Sequence, residues 1–126
     1  MNTNFKVKVL LVDDNEQFLK VFNKMLITGF SDRIEKIDVA RNGKECISMV
    51  HKYSYDIIFM DIEMPEMNGI ETTRYIMDNL RGVKIIGVSM HSALDKIQQL
   101  LEAGARNYVV KEKLNKDFVA ELLTIS

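Results

Sequence analysis

Apolar residues along this chain fall into two kinds of stretch that take turns. Short runs of strand length alternate with longer stretches whose apolar residues recur at helical spacing. Val7 to Val12 (V-K-V-L-L-V) predicts a first strand, and a helix follows from about Glu16 to Ile27, with Phe18, Phe22, Met25 and Leu26 on one face and Gly29 as a stop. Ile34 to Ala40 predicts a second strand, Asn42-Gly43 a turn, and a short helix then runs to about Lys52. Asp56 to Met60 (D-I-I-F-M) is apolar at its centre, as expected of a strand covered on both faces. A loop over Pro65 to Gly69 leads to a helix from about Ile70 to Leu80, then a strand over Val83 to Val88. Ser92 to Ala103 predicts a fourth helix stopped at Gly104, and Asn107 to Val110 a short fifth strand. Asn115 is placed to cap a last helix carrying Phe118, Val119, Leu122 and Leu123.

Five strand–helix units in succession predict an α/β fold with a parallel, doubly wound sheet and helices on both faces. The 126 residues suit one domain, 1–126, without repeats or low-complexity linkers. In such sheets ligands gather at the carboxyl ends of the strands, near the point where strand order reverses.

Those ends carry a suggestive set of residues. Strand 1 runs into Asp13-Asp14, strand 3 into Asp61, strand 4 into Ser89 and strand 5 into Lys111. Each has an ordinary explanation alone: Asp14 or Asn15 could cap the first helix with Gln17 closing a capping box, and the others could be loop or surface groups. Together they are harder to dismiss. Three crowded acids repel one another unless a cation joins them, and Mg²⁺ takes one or two carboxylates along with waters and a phosphate oxygen. Neutralisation by Lys111 alone is the competing explanation.

Composition narrows the alternatives. Seventeen Lys and Arg against 18 Asp and Glu give a net charge of −1, which marks no nucleic-acid surface. The lone Cys46 cannot form an internal disulfide and is expected to be a small buried side chain. Neither a signal-peptide core nor a membrane-length apolar run is present, so a cytoplasmic location is expected. No phosphate-binding glycine loop, dinucleotide fingerprint or zinc spacing occurs, and neither His51 nor His91 sits in a nucleophile motif.

Four segments resemble the receiver domain of bacterial two-component response regulators: L-L-V-D-D-N at 10–15, D-I-I-F-M-D-I-E-M-P-E-M-N-G at 56–69, I-I-G-V-S-M-H at 85–91 and A-G-A-R-N-Y-V-V-K at 103–111. They span nearly the whole chain, in the family's order. The resemblance implies a flavodoxin-like strand order 2-1-3-4-5. It implies Asp61 as phosphoacceptor, Asp13, Asp14, Asp61 and the Glu63 backbone carbonyl as Mg²⁺ ligands, Ser89 and Lys111 as partners of the phosphoryl oxygens, and Tyr108 as the aromatic switch residue. Glu63 and His91, each two residues beyond a site residue, would tune the lifetime of the phosphorylated state. Ser89-Met90-His91, and the acid Glu112 after Lys111 where many receivers have proline, resemble the subfamily with a LuxR-type helix-turn-helix output domain. No such output domain occurs within 1–126, so this is expected to be either a receiver excised from a longer regulator or a free-standing one, and an end inside a helical pattern leans toward excision.

The expected function is therefore a phospho-accepting switch, loaded by a sensor histidine kinase or a small phosphodonor, that catalyses its own phosphorylation and dephosphorylation and controls an output, most simply transcription. Self-association or output-domain docking is expected on the face formed by the fourth helix, fifth strand and fifth helix, where Leu94, Ile97, Leu100, Leu101, Phe118, Val119, Leu122 and Leu123 lie; most of these are expected to be core, and the remainder to be left for a partner. A degenerate receiver that only binds proteins is the alternative, but such versions lose an acid or the lysine and this chain keeps all of them. A dehalogenase-like phosphatase would need D-x-D where this chain has adjacent acids.

Overall fold

The structure is a computed structural model that describes residues 5–64, 67–90 and 94–124. Its elements run β1 (Val7–Val12), α1 (Glu16–Phe30), β2 (Ile34–Ala40), α2 (Gly43–Lys52), β3 (Ile57–Asp61), α3 (Gly69–Asn79), β4 (Lys84–Ser89), α4 (Leu94–Glu102), β5 (Asn107–Val110) and α5 (Lys116–Leu122), with a 3₁₀ turn at Lys111–Lys113. The five strands form one parallel sheet in the order β2-β1-β3-β4-β5. That is the doubly wound arrangement anticipated from the alternating pattern.

Strand alternation sorts the core into two layers. Val9, Leu11, Phe59 and Val88 face one side, where they meet Phe22 and Leu26 of α1 and Val119 and Leu122 of α5. Leu10, Val12, Ile58, Met60 and Ile85 face the other, against Cys46 and Val50 of α2, Ile76 of α3 and Leu100 of α4. With both faces covered, the central strands need no polar face, which is why β3 is buried at every position. Cys46 is fully buried, and burial pushes its thiol up to about 12.

Asparagine begins four of the helices. The side chains of Asn15, Asn42, Asn68 and Asn115 accept the backbone N–H three residues on, at 2.8–3.0 Å, which satisfies donors left over at a helix start. At Asn68 the Glu71 side chain completes a capping box. Asn42-Gly43, expected as a turn, is thus a helix start.

Gly29 does not stop α1, which continues to Phe30. Phe30 lies one turn beyond Leu26 and is buried in the same layer, so packing outweighs the weak helix preference of glycine. Gly104 does end its helix, with φ +117° in the left-handed region. Of the expected fourth helix, Ser92 and Ala93 lie outside the described residues. Of the eight apolar residues in the α4 and α5 segments, most are core as expected: Ile97, Leu100, Val119, Leu122 and Leu123 are buried, while Leu94 and Leu101 are exposed. No described helix is long and apolar enough to cross a membrane.

Candidate functional site

Sheet register delivers the polar residues to one rim. Val12 pairs with Met60, so Asp13 and Asp61 emerge side by side. Ser89 pairs with Val110, so Lys111 leaves β5 beside the end of β4. Asp13 follows Val9 and Leu11 in the two-residue alternation, as Asp61 follows Ile57 and Phe59, so both point to the α1 side. One carboxylate oxygen each from Asp13, Asp14 and Asp61 lie within 4.8 Å of one another. Asp13 and Asp61 are buried and Asp14 is exposed, so the cluster opens to solvent along Asp14.

Asp13 is held from two directions. Its Oδ1 accepts the Asn15 N–H at 2.8 Å, and its Oδ2 forms an ion pair with Lys111 Nζ at 2.8 Å. Lys111 Nζ also lies 4.4 Å from the centre of the Phe18 ring. Asp61 Oδ1 accepts the Glu63 N–H at 3.2 Å. Burial, then the charge of Asp13, push the Asp61 carboxyl up to about 7, although Lys111 and the Glu63 N–H favour its ionised form. Three carboxylates facing one ammonium leave an excess of negative charge that a hard divalent cation fits.

Gly69 lets the chain close over this rim. A Cβ there would stand 2.1 Å from the Asp61 carbonyl oxygen, so only glycine admits the start of α3 this close to the end of β3. The Gly69 N–H donates to the Ile62 carbonyl at 3.0 Å and pins the same approach.

The remaining predicted residues surround the cluster. Ser89 is buried at the end of β4. Tyr108 is half-buried and packs on the layer formed with α2, α3 and α4. Glu63 is exposed and pairs with Lys96 of α4 at 3.4 Å. A cleft of about 420 Å³ opens beside it, lined by Ile62, Glu63, Met64, Asn68, Ile70 and Lys96. His91 lies outside the described residues. Sequence reasoning missed Phe18 and Lys96 as neighbours of the site. Phe18 reads in sequence as one more apolar residue of an amphipathic helix, and Lys96 as a surface charge; only tertiary packing brings them in.

The chain belongs to the response regulator receiver domain family, whose pattern matches residues 9–123. It is 28% identical over 120 residues to the transcriptional regulatory protein DegU of Brevibacillus brevis, a match covering 95% of this chain and 50% of DegU. The fold is shared with a LuxR-family DNA-binding response regulator from Staphylococcus aureus (TM-score 0.83, 19% identity, 92% of this chain and 95% of that one). It is also shared with the receiver domain of the histidine kinase CKI1 from Arabidopsis thaliana in complex with Mg²⁺ and BeF₃⁻ (TM-score 0.78, 27% identity, 93% and 89% covered). The chain thus spans about half the length of DegU. It is a receiver of the two-component type, a phosphoryl-accepting switch in kind.

Proposed function

We propose that Asp61 accepts the phosphoryl group, that Mg²⁺ is held by the Asp13, Asp14 and Asp61 carboxylates and the Glu63 backbone carbonyl, and that Lys111 and Ser89 meet the phosphoryl oxygens. The observation that carries this reading is the convergence of three carboxylates within 4.8 Å, with the Lys111 ammonium 2.8 Å from one of them. In the reaction, one Asp61 Oδ attacks the phosphorus of a phosphohistidine or of acetyl phosphate. A P–O bond forms, the P–N or P–O bond to the donor breaks, and the imidazole or acetate leaves. Mg²⁺, when bound, supplies positive charge that offsets the carboxylates and a phosphoryl oxygen. Lys111 donates to the transferred group, and the Ser89 hydroxyl stands where it can follow. Water later cleaves the acyl phosphate at phosphorus, returning the Asp61 carboxylate and inorganic phosphate.

The donor class is a sensor histidine kinase. The CKI1 receiver, which belongs to a histidine kinase and was solved with Mg²⁺ and BeF₃⁻, supports both the donor and the ion. The output is transcriptional, a reading supported by the likeness to DegU, and residues 1–126 are the receiver unit of such a regulator. Charge added at Asp61 draws Ser89 toward it and lets Tyr108 turn inward, changing the surface of α4, β5 and α5. Glu63 and His91 set how readily water reaches the phosphorus.

Incubation with acetyl phosphate and Mg²⁺, followed by intact mass, tests the core of this reading. One phosphoryl group is expected on the wild type and none on Asp61→Asn. Equal labelling of both proteins would place the acceptor elsewhere.

A further inference from the structure

Lys111 is gripped by an aromatic ring as well as by an acid. Its ammonium is 2.8 Å from Asp13 Oδ2 and 4.4 Å from the centre of the Phe18 ring, well inside the range of cation–π attraction. The lysine side chain exposes only 10% of its surface, so water does little to solvate the charge and the ring counts for more.

The ring itself is firmly placed. The Phe18 N–H donates to Asn15 Oδ1 at 3.0 Å, and the Asn15 N–H donates to Asp13 Oδ1 at 2.8 Å, so ring, helix start and carboxylate are tied together. Behind it the Phe22 ring lies 5.5 Å away and packs edge-on to Phe59 at 5.0 Å. Phe59 is two residues before Asp61 on β3. Half-buried Phe18 is therefore backed, through Phe22, by the core under β3.

We propose that Phe18 is a positioning residue for phosphoryl transfer, holding the Lys111 ammonium poorly hydrated and beside the acids while it turns from Asp13 to the phosphoryl group. The inference rests on the reading of Lys111 as a phosphoryl partner. A ring face suits this task because its attraction varies smoothly across the surface. The ammonium pivots on it without breaking a directional hydrogen bond, whereas an aliphatic side chain fills the same space with no electrostatic hold.

The test compares wild type, Phe18→Leu and Phe18→Tyr for Mg²⁺-dependent BeF₃⁻ affinity, read by ¹⁹F NMR, and for initial phosphorylation rate with acetyl phosphate, read by intact mass. Urea unfolding monitors stability alongside, and Phe18→Met stands in should the leucine variant fail to fold. Loss of the cation–π contact is expected to weaken BeF₃⁻ binding and slow labelling about 3- to 10-fold in Phe18→Leu, while Phe18→Tyr stays within about twofold of wild type. In a Lys111→Met background the leucine substitution is expected to change neither quantity, because the ring then has no cation to hold. Wild-type behaviour of Phe18→Leu, or an equal loss in the Lys111→Met background, would overturn the proposal. A wild type that neither binds BeF₃⁻ nor takes up phosphate would overturn the phosphoacceptor reading itself, and this inference with it.

Discussion

Lys111 Nζ and Asp13 Oδ2 stand 2.8 Å apart, with the two side chains exposing 10% and 2% of their surface. A buried pair of this kind is costly to break from one side, because the partner left behind keeps its charge without compensation. Here the partner left behind is also one of three neighbouring acids. The lysine thus serves as the resident counterion of the acid cluster, and a divalent cation entering the site competes with it electrostatically.

Replacing Lys111 with methionine is accordingly expected to have opposite effects on two ligands. Without Mg²⁺ the variant is expected to lose about 1–3 kcal/mol of stability in urea unfolding at neutral pH. Its Mg²⁺ affinity is expected to rise on the order of tenfold, since a positive charge has left the neighbourhood. BeF₃⁻ binding is expected to weaken, because the phosphoryl stand-in loses a donor. Isothermal titration with Mg²⁺ checks the second point, and an unchanged or weaker affinity would show that Lys111 is not the counterion of the cluster.

Asp61 gives the stability of the metal-free protein a pH dependence whose sign follows from its environment. Burial and the charge of Asp13 raise its carboxyl from 3.8 to about 7. A carboxyl raised on folding opposes the folded state once it ionises. Its penalty is absent below pH about 4, grows as pH rises toward 7 and is complete above that. Asp61→Asn removes the penalty and is expected to be more stable than wild type at pH 8 by about 1–3 kcal/mol, with little difference at pH 4. Mg²⁺ is expected to stabilise wild type more than the variant. Urea unfolding at both pH values with EDTA present measures the difference, and parallel pH profiles for the two proteins would contradict it.

The strands and the place of the acids were legible because the determinants are local and periodic, whereas the strand order came from the resemblance to receivers. Runs such as D-I-I-F-M at 56–60 announce a doubly covered strand, and the acids directly follow such runs. Helix ends were less legible. Gly29 carries the signature of a stop, yet the buried Phe30 one residue later holds the helix on, and burial is a property of the packed layer rather than of the local sequence. Lateral neighbours were not legible at all. Phe18 and Lys96 reach the site from α1 and α4, and nothing in their own segments marks them off from ordinary core and surface residues. Most of the apolar residues of the α4 and α5 segments were expected to be core, as five of the eight are, but composition could not tell which ones turn inward.

Gly69 and Gly82 offer a controlled comparison of two reasons for glycine. At Gly69 an added Cβ would stand 2.1 Å from the Asp61 carbonyl oxygen, which is rigid backbone, so strand and helix must separate. Gly69→Ala is expected to cost about 2–3 kcal/mol and to lower Mg²⁺ affinity, because Asp61 is displaced with the strand end. Gly82 has φ +82° with nothing within 4 Å of an added Cβ, so Gly82→Ala carries only backbone strain, about 1 kcal/mol, and is expected to leave Mg²⁺ binding unchanged. Thermal unfolding and Mg²⁺ titration of the two variants separate the effects. Equal Mg²⁺ affinities would show that the Gly69 contact does not set the position of Asp61.

Leu94 and Leu101 concentrate the expected partner surface onto two side chains. They lie two helical turns apart on α4 and are 78% and 42% exposed, whereas Ile97 and Leu100 between them are buried. Residues seven apart share a face, so the pair forms an apolar stripe on α4, the helix whose buried Leu100 shares a core layer with half-buried Tyr108 of β5. Isolated exposed leucines are common, but a stripe on the α4 face proposed to change on phosphorylation is placed to report that change. Leu101→Glu is expected to abolish any BeF₃⁻-dependent association, because a charge in an apolar contact is strongly unfavourable, and to leave BeF₃⁻ binding by the monomer intact. Tyr108→Ala is expected to weaken association without moving BeF₃⁻ affinity more than severalfold, since coupling of a few kcal/mol or less is enough to shift a two-state surface. Light scattering of wild type and both variants, with and without BeF₃⁻ and Mg²⁺, measures the association. A wild type that stays monomeric, together with chemical-shift changes that spare α4, β5 and α5, would place the output surface on another face of the domain.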